Sequence, residues 1–214
     1  MADVQSRVAA MLELQDEVNA HIHPQWRLQN RPWYRAIWVE CAELLDHHGW
    51  KWWKLQTPDW EQVHLELVDI WHFGLSAMLA DEVPASAIAA ALTDDAEALP
   101  GEGAERFCHA VEDFASQTLV LRGFDLVGFA RLLGVAGLDF ETLYRSYVGK
   151  NVLNRFRQDR GYGEGRYQKQ WQGREDNQWL VMLSADLDPE SATFAAELYG
   201  ALDRCYREGA GAGE

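Results

Sequence analysis

Glu40 and Glu43 stand three residues apart in the chain, and so do Glu66 and Asp69, with 22 residues between the two pairs. On an α-helix, positions i and i+3 lie one above the other, so each pair presents two carboxylates from one face. Two such helices packed antiparallel gather four negative charges into one spot. Like charges that close repel, and a hard divalent cation with oxygen ligands relieves the repulsion. Without a cation, at least one of the four carboxyls should have a raised pKa. The neighbours Ile37, Leu44, Leu67, Ile70 and Phe73, together with Trp38 and Trp71, leave few positions for a wet acidic face, so these acids should sit among apolar side chains and need partners. Glu61-x-x-His64 resembles half of a helical di-iron site. At about 100° per residue, however, its midpoint lies roughly 140° around the helix from that of Glu66 and Asp69. No second Glu-x-x-His falls on another long helix, so an iron site is not expected.

Cationic and aromatic residues follow the acids. Gly49-Trp50-Lys51-Trp52-Trp53-Lys54 alternates lysine with tryptophan, which offers point charges for phosphates beside flat surfaces for a nucleobase. Farther on, Lys150, Asn154 and Arg157 fall at i, i+4 and i+7 on one helical face, and a glycine-rich loop then brings Tyr167 and Lys169. Such a face suits a triphosphate. A Gly-x-x-x-x-Gly-Lys-Ser/Thr loop is missing, and so is a Gly-x-Ser-x-Gly elbow, so neither a P-loop nor a serine nucleophile is expected.

The elements that must carry these residues are helical nearly throughout. Arg7 to Val18 has apolar residues at helical spacing, and Trp33 to His48 reads as a second helix. Thr57-Pro58-Asp59 offers a hydroxyl cap, a proline at the first helical position and an acid in the first turn of a helix running to about Leu79. Val83 to Gly103, rich in Pro, Gly and acids, interrupts two weaker helical segments. Glu105 to Leu121, Asp125 to Leu133 and Asp139 to Arg160 continue as helices, the last closed by Gly161. Asn177 to Ser184 and Pro189 to Arg207 complete an all-α bundle in one domain, 1–207, with 208–214 as a flexible tail.

Composition narrows the class of function. The 214 residues are 48% hydrophobic, enough for a sizeable core. The N-terminal segment lacks a basic stretch followed by an apolar one, and no window approaches 18 apolar residues, so secretion and membrane spanning are not expected. Cys41, Cys108 and Cys205 are odd in number and far apart, as reduced cysteines of a cytoplasmic protein would be. A net charge of −15 argues against nucleic acid and acidic membranes as partners. Arg145 to Arg174 reverses that balance, with eight basic residues against Asp159 and Glu164, leaving −21 on the rest. A basic island on an acidic protein is what a small polyanion needs.

The pattern Glu-x-x-Glu followed by Glu-x-x-Asp resembles the metal-binding pattern of the all-alpha nucleoside triphosphate pyrophosphatase superfamily. The segments LQDEVN, WVECAELLDHHGWKWWK, ELVDIWHF and KNVLNRFRQDRGYGEGRYQKQW, in that order, resemble its dimeric dUTP diphosphatase branch more closely. The resemblance covers most of Leu14 to Trp171, with little from Asp81 to Leu138. It implies that Glu40, Glu43, Glu66 and Asp69 bind two or three Mg²⁺ ions, with Glu43 orienting the attacking water or taking its proton. It also implies phosphate contacts from Lys54, Lys150, Arg157 and Lys169, uracil reading by Gln15 and Asn19, Asn154 near the sugar or base, and a ring from Trp53. Lys51 and Tyr167 join the candidate substrate contacts. The resemblance further implies dUTP and dUDP as substrates and a homodimer in which each site borrows a loop from the second subunit. Two alternatives stay open: a dCTP or mixed dCTP/dUTP pyrophosphatase, because a Gln or Asn amide serves either base by flipping, and a non-catalytic helical dimer.

Overall fold

A computed structural model describes residues 2–93, 103–189, 191 and 193–210. Among them are nine α-helices: α1 (Ala2–Ile22), α2 (Trp33–His48), α3 (Trp60–Ala80), α4 (Ala85–Thr93), α5 (Gly103–Leu121), α6 (Leu126–Ala136), α7 (Phe140–Asp159), α8 (Asp176–Ser184) and α9 (Phe194–Ala210). Short 3-10 turns lie at Trp26–Gln29 and Tyr162–Glu164, and two-residue strands β1 (Gln170–Trp171) and β2 (Arg174–Glu175) pair antiparallel. The protein is all-α, as its periodicity requires. Of the tail expected at 208–214, residues 208–210 belong to α9, and 211–214 lie outside the described residues. So do residues 94–102 of the expected break between Val83 and Gly103, whose earlier part holds α4.

The chain divides into two compact units, Met1–Tyr144 and Arg145–Glu214. In the first, α3 is the central element: of its residues from Val63 to Met78, all but His64, Asp69 and Phe73 are buried. It packs on α1, α2 and α6. Ile37, Cys41 and Leu44, at i, i+4 and i+7, give α2 its inward stripe, and all three are buried. Trp38 lies off that stripe and is half exposed, so it does not wall in the acids as its size suggested. Trp71 stacks on Phe129 with ring centroids 5.3 Å apart and donates its indole N–H to Met11 Sδ at 3.3 Å. Gly74 is required here, because a Cβ would stand 2.6 Å from the Phe124 ring.

The start of α3 differs from the sequence reading by two residues. Asp59, not Thr57, is the N-cap, and its carboxylate accepts the Gln62 N–H at 3.2 Å. An aspartate satisfies an orphan amide as well as a hydroxyl does and adds charge opposite the helix dipole. Asp59→Ala is therefore expected to cost about 1 kcal/mol in denaturant unfolding, and Thr57→Ala only a few tenths. The reverse order would restore the hydroxyl cap. Asp125 and Asp139 cap α6 and α7 in the same way, accepting from Gly128 and Thr142.

The second unit has a core of Val152, Leu153, Phe156, Trp171, Leu180, Phe194, Leu198 and Leu202. Gly161, with φ of +81°, ends α7 where expected. The β1–β2 ribbon turns through Gln172 and Gly173, both with positive φ, the geometry of a tight two-residue hairpin. No helix of the described residues is long and apolar enough to cross a membrane.

Candidate active site

Packing of α2 on α3 brings the four acids together. Glu40, Glu66 and Asp69 each offer a carboxylate oxygen, and these lie within 4.8 Å of one another. Glu43 and Glu66 form a second such group with His47, so Glu66 is common to both. Glu66 is buried, Glu40 and Asp69 half-buried, and Glu43 exposed. The antiparallel run of α2 and α3 explains the geometry, since both groups pair later residues of one helix with earlier residues of the other.

This arrangement is electrostatically costly. Burial, then the charges of Asp69, Glu66 and Glu43 and a hydrogen bond with Glu66, pushes the Glu40 carboxyl up to about 8. The raised carboxyl expected from the sequence is therefore Glu40. His47 Nε2 stands 3.6 Å from Glu66 Oε1. The next residue, His48, turns the other way: it is buried, stacks on Phe107 at 4.5 Å and meets Trp60 edge-on at 5.2 Å. Burial lowers its pKa. Of the Glu61-x-x-His64 pair, Glu61 is exposed and His64 Nε2 lies 3.0 Å from the Ala136 carbonyl.

A second polar group lies on the same helix. Gln15 and Asn19 of α1 are buried, and both donate to Ser76 Oγ, at 3.1 and 2.9 Å. Gln15 also donates to Asn19 Oδ1 at 3.3 Å, and His72 Nδ1 lies 2.9 Å from Gln15 Oε1. Ser76 in turn donates to the His72 carbonyl at 3.0 Å. Buried amides, hydroxyl and imidazole thus form one network that can present donors and acceptors to a planar ligand edge. Glu66, Asp69, His72 and Ser76 follow one another at offsets of three, three and four, a single stripe of α3. At 1.5 Å per residue the carboxylate and amide groups are about 10 Å apart along it.

The tryptophan loop is wet and apolar at once. Trp50, Trp52, Trp53 and Leu55 are all exposed, and Trp53 meets Trp50 and Trp52 edge-on at 5.3 and 5.4 Å. Lys54 is exposed too, whereas Lys51 pairs with Asp46 at 2.5 Å. Gln56 ties the loop together by accepting the Lys51 N–H at 2.8 Å.

In the second unit the basic face is engaged internally. Arg157 makes a bidentate pair with buried Asp176, at 2.8 and 2.9 Å, and its Nη1 donates to Asn154 Oδ1 at 3.2 Å. The Tyr167 hydroxyl donates to the same carboxylate at 2.9 Å. Burial and the Asp176 charge raise the Tyr167 pKa. Lys150 is buried with Nζ 3.1 Å from Asn177 Oδ1. Lys169 is the exposed cation of the set, 5.9 Å from the Tyr162 ring.

A family model described as dUTPase matches residues 7–162. The chain belongs to the dUTPase family. Individual curated proteins gave no match. The enzyme is a dUTP diphosphatase, and the matched span holds both polar groups of α3 together with Lys150, Asn154 and Arg157. Tyr167, Lys169 and the Asp176 that engages Arg157 fall beyond it. His47, His72 and Ser76 were not singled out in the sequence. The two histidines had a signal: His47 is i+7 from Glu40 and i+4 from Glu43, and His72 is i+3 from Asp69.

Proposed function

We propose that the enzyme hydrolyses dUTP to dUMP and pyrophosphate with two or three Mg²⁺ ions per site, takes dUDP as well, and works as a cytoplasmic homodimer. The observation that carries this reading is the stripe on α3, which sets carboxylates for cations and amides for a base edge about 10 Å apart, a span that suits a nucleoside between base and phosphate. The donor set fits the metal: all-oxygen carboxylates, close enough that small side-chain rotations gather them, and in need of positive charge, as the raised Glu40 carboxyl attests. When bound, Mg²⁺ neutralises charge on the phosphate oxygens and eases deprotonation of water.

The chain's own residues do the rest. Glu40, Glu43, Glu66 and Asp69 hold the cations, and Glu43, the exposed member, also orients the attacking water and accepts its proton. Water adds to phosphorus, the bridging P–O bond breaks, and pyrophosphate leaves. Gln15 and Asn19 read the uracil edge, held in register by Ser76 and His72. Trp53 offers a ring, and Lys51, Lys54, Lys150, Asn154, Arg157, Tyr167 and Lys169 are read as nucleotide contacts. Exposed Trp52 and Leu55 favour a subunit that covers them, and three free cysteines accord with a reducing compartment.

The test is a panel of nucleotides with Mg²⁺, followed by pyrophosphate release. dUTP should turn over far faster than dTTP, dCTP or UTP, and EDTA should abolish the reaction. Comparable rates on dCTP would replace the uracil assignment of Gln15 and Asn19.

A further inference from the structure

His47 lies on the acid-bearing face of α2, one helical turn beyond Glu43, with Nε2 3.6 Å from the buried Glu66 carboxylate. Its ring nitrogen and one oxygen each from Glu43 and Glu66 lie within 4.8 Å of one another. A helix backbone holds this register, and of the two neighbouring imidazoles His48 is packed away against Phe107 and Trp60, while His47 meets the acids. We propose that Glu43, His47 and Glu66 form a mixed nitrogen/oxygen cation position beside the all-carboxylate position of Glu40, Glu66 and Asp69, with Glu66 shared between the two.

The two donor sets differ in what they select. Carboxylate oxygens suit Mg²⁺, whereas an imidazole nitrogen adds affinity for first-row transition metals along the series from Mn²⁺ to Zn²⁺. One position is thus filled best by Mg²⁺ and the other by Mn²⁺, Co²⁺ or Zn²⁺. The exposed edge of His47, about a third of its side chain, leaves it free to rotate onto the ion. Without the ion, the same imidazole sits against the Glu66 carboxylate.

The inference rests on the reading of the acids as cation ligands, and Mn²⁺ alone, with no nucleotide, separates the two. Pulsed electron paramagnetic resonance of the Mn²⁺-loaded full chain should show hyperfine coupling to a directly bound ¹⁴N in the wild type and none in His47→Gln. Calorimetry should give Mn²⁺ affinity at least about tenfold weaker in the variant, with Mg²⁺ affinity changed less than about threefold. A thermal melt of the variant close to wild type keeps the comparison valid, as expected for a side chain about a third exposed. Mn²⁺ bound without nitrogen coupling overturns the His47 position and leaves the carboxylate site standing. Failure of the wild type to bind either ion overturns both.

Discussion

Glu40→Gln is expected to cut Mg²⁺-dependent dUTP turnover by orders of magnitude and, in the metal-free protein, to raise stability. Glu40 is held at about 8 in the folded chain, against an ordinary 4.5, because it is half-buried beside three other acids. Below pH 4.5 it is protonated folded or unfolded, and it costs nothing. As pH rises from 4.5 towards 8 the unfolded chain gives up this proton more readily, so the metal-free fold loses stability across that window and carries the full penalty above it. Glutamine removes the charge and with it the penalty, by no more than about 2 kcal/mol once solvent screening of a partly exposed group is allowed for. The melting temperatures of wild type and variant, measured in EDTA, should therefore diverge as pH rises from 5 to 8. Mg²⁺ should close the gap by stabilising the wild type by mass action and the variant far less. A variant that melts lower and keeps its activity would falsify the reading of Glu40 as a cation ligand.

How much of this was legible in the sequence depends on the range over which each residue is determined. Spacing within one helix was: Trp33–His48 forms the expected helix to the residue, and the i, i+3 acids converge because two amphipathic helices joined by a short loop have one way to bury their apolar stripes. Capping was legible only in kind, since Thr57 and Asp59 are both competent and the choice is made by which amide the helix leaves orphaned. The β1–β2 ribbon was not, because two-residue strands carry no periodicity. The Gln15–Asn19–Ser76 network joins residues more than 55 positions apart, and nothing local to Ser76 announces it. Partners of charges were least legible of all. Nothing near Arg157 on its face of α7 announces the carboxylate that engages it, which lies 19 residues on, in another helix.

That last pairing adds a stability cost to what a substitution at Arg157 should do. The sequence alone suggests that Arg157→Ala weakens nucleotide binding and leaves the fold intact. Asp176, however, is only 1% exposed, and its carboxylate is neutralised by the bidentate guanidinium and by the Tyr167 hydroxyl. Removing the arginine strands a buried charge with one neutral donor, a loss of about 3–5 kcal/mol, whereas removing both charges costs much less. Chemical denaturation should accordingly find Arg157→Ala strongly destabilised and Arg157→Ala with Asp176→Asn largely recovered. Lys169→Ala supplies the contrast, because Lys169 is exposed and its loss should shift stability by no more than about 0.5 kcal/mol. If Lys169 is a phosphate contact, that variant should bind a non-hydrolysable dUTP analogue more weakly than wild type, by a margin that shrinks as salt rises. An Arg157→Ala protein as stable as wild type would mean that the Asp176 pair is incidental to the fold.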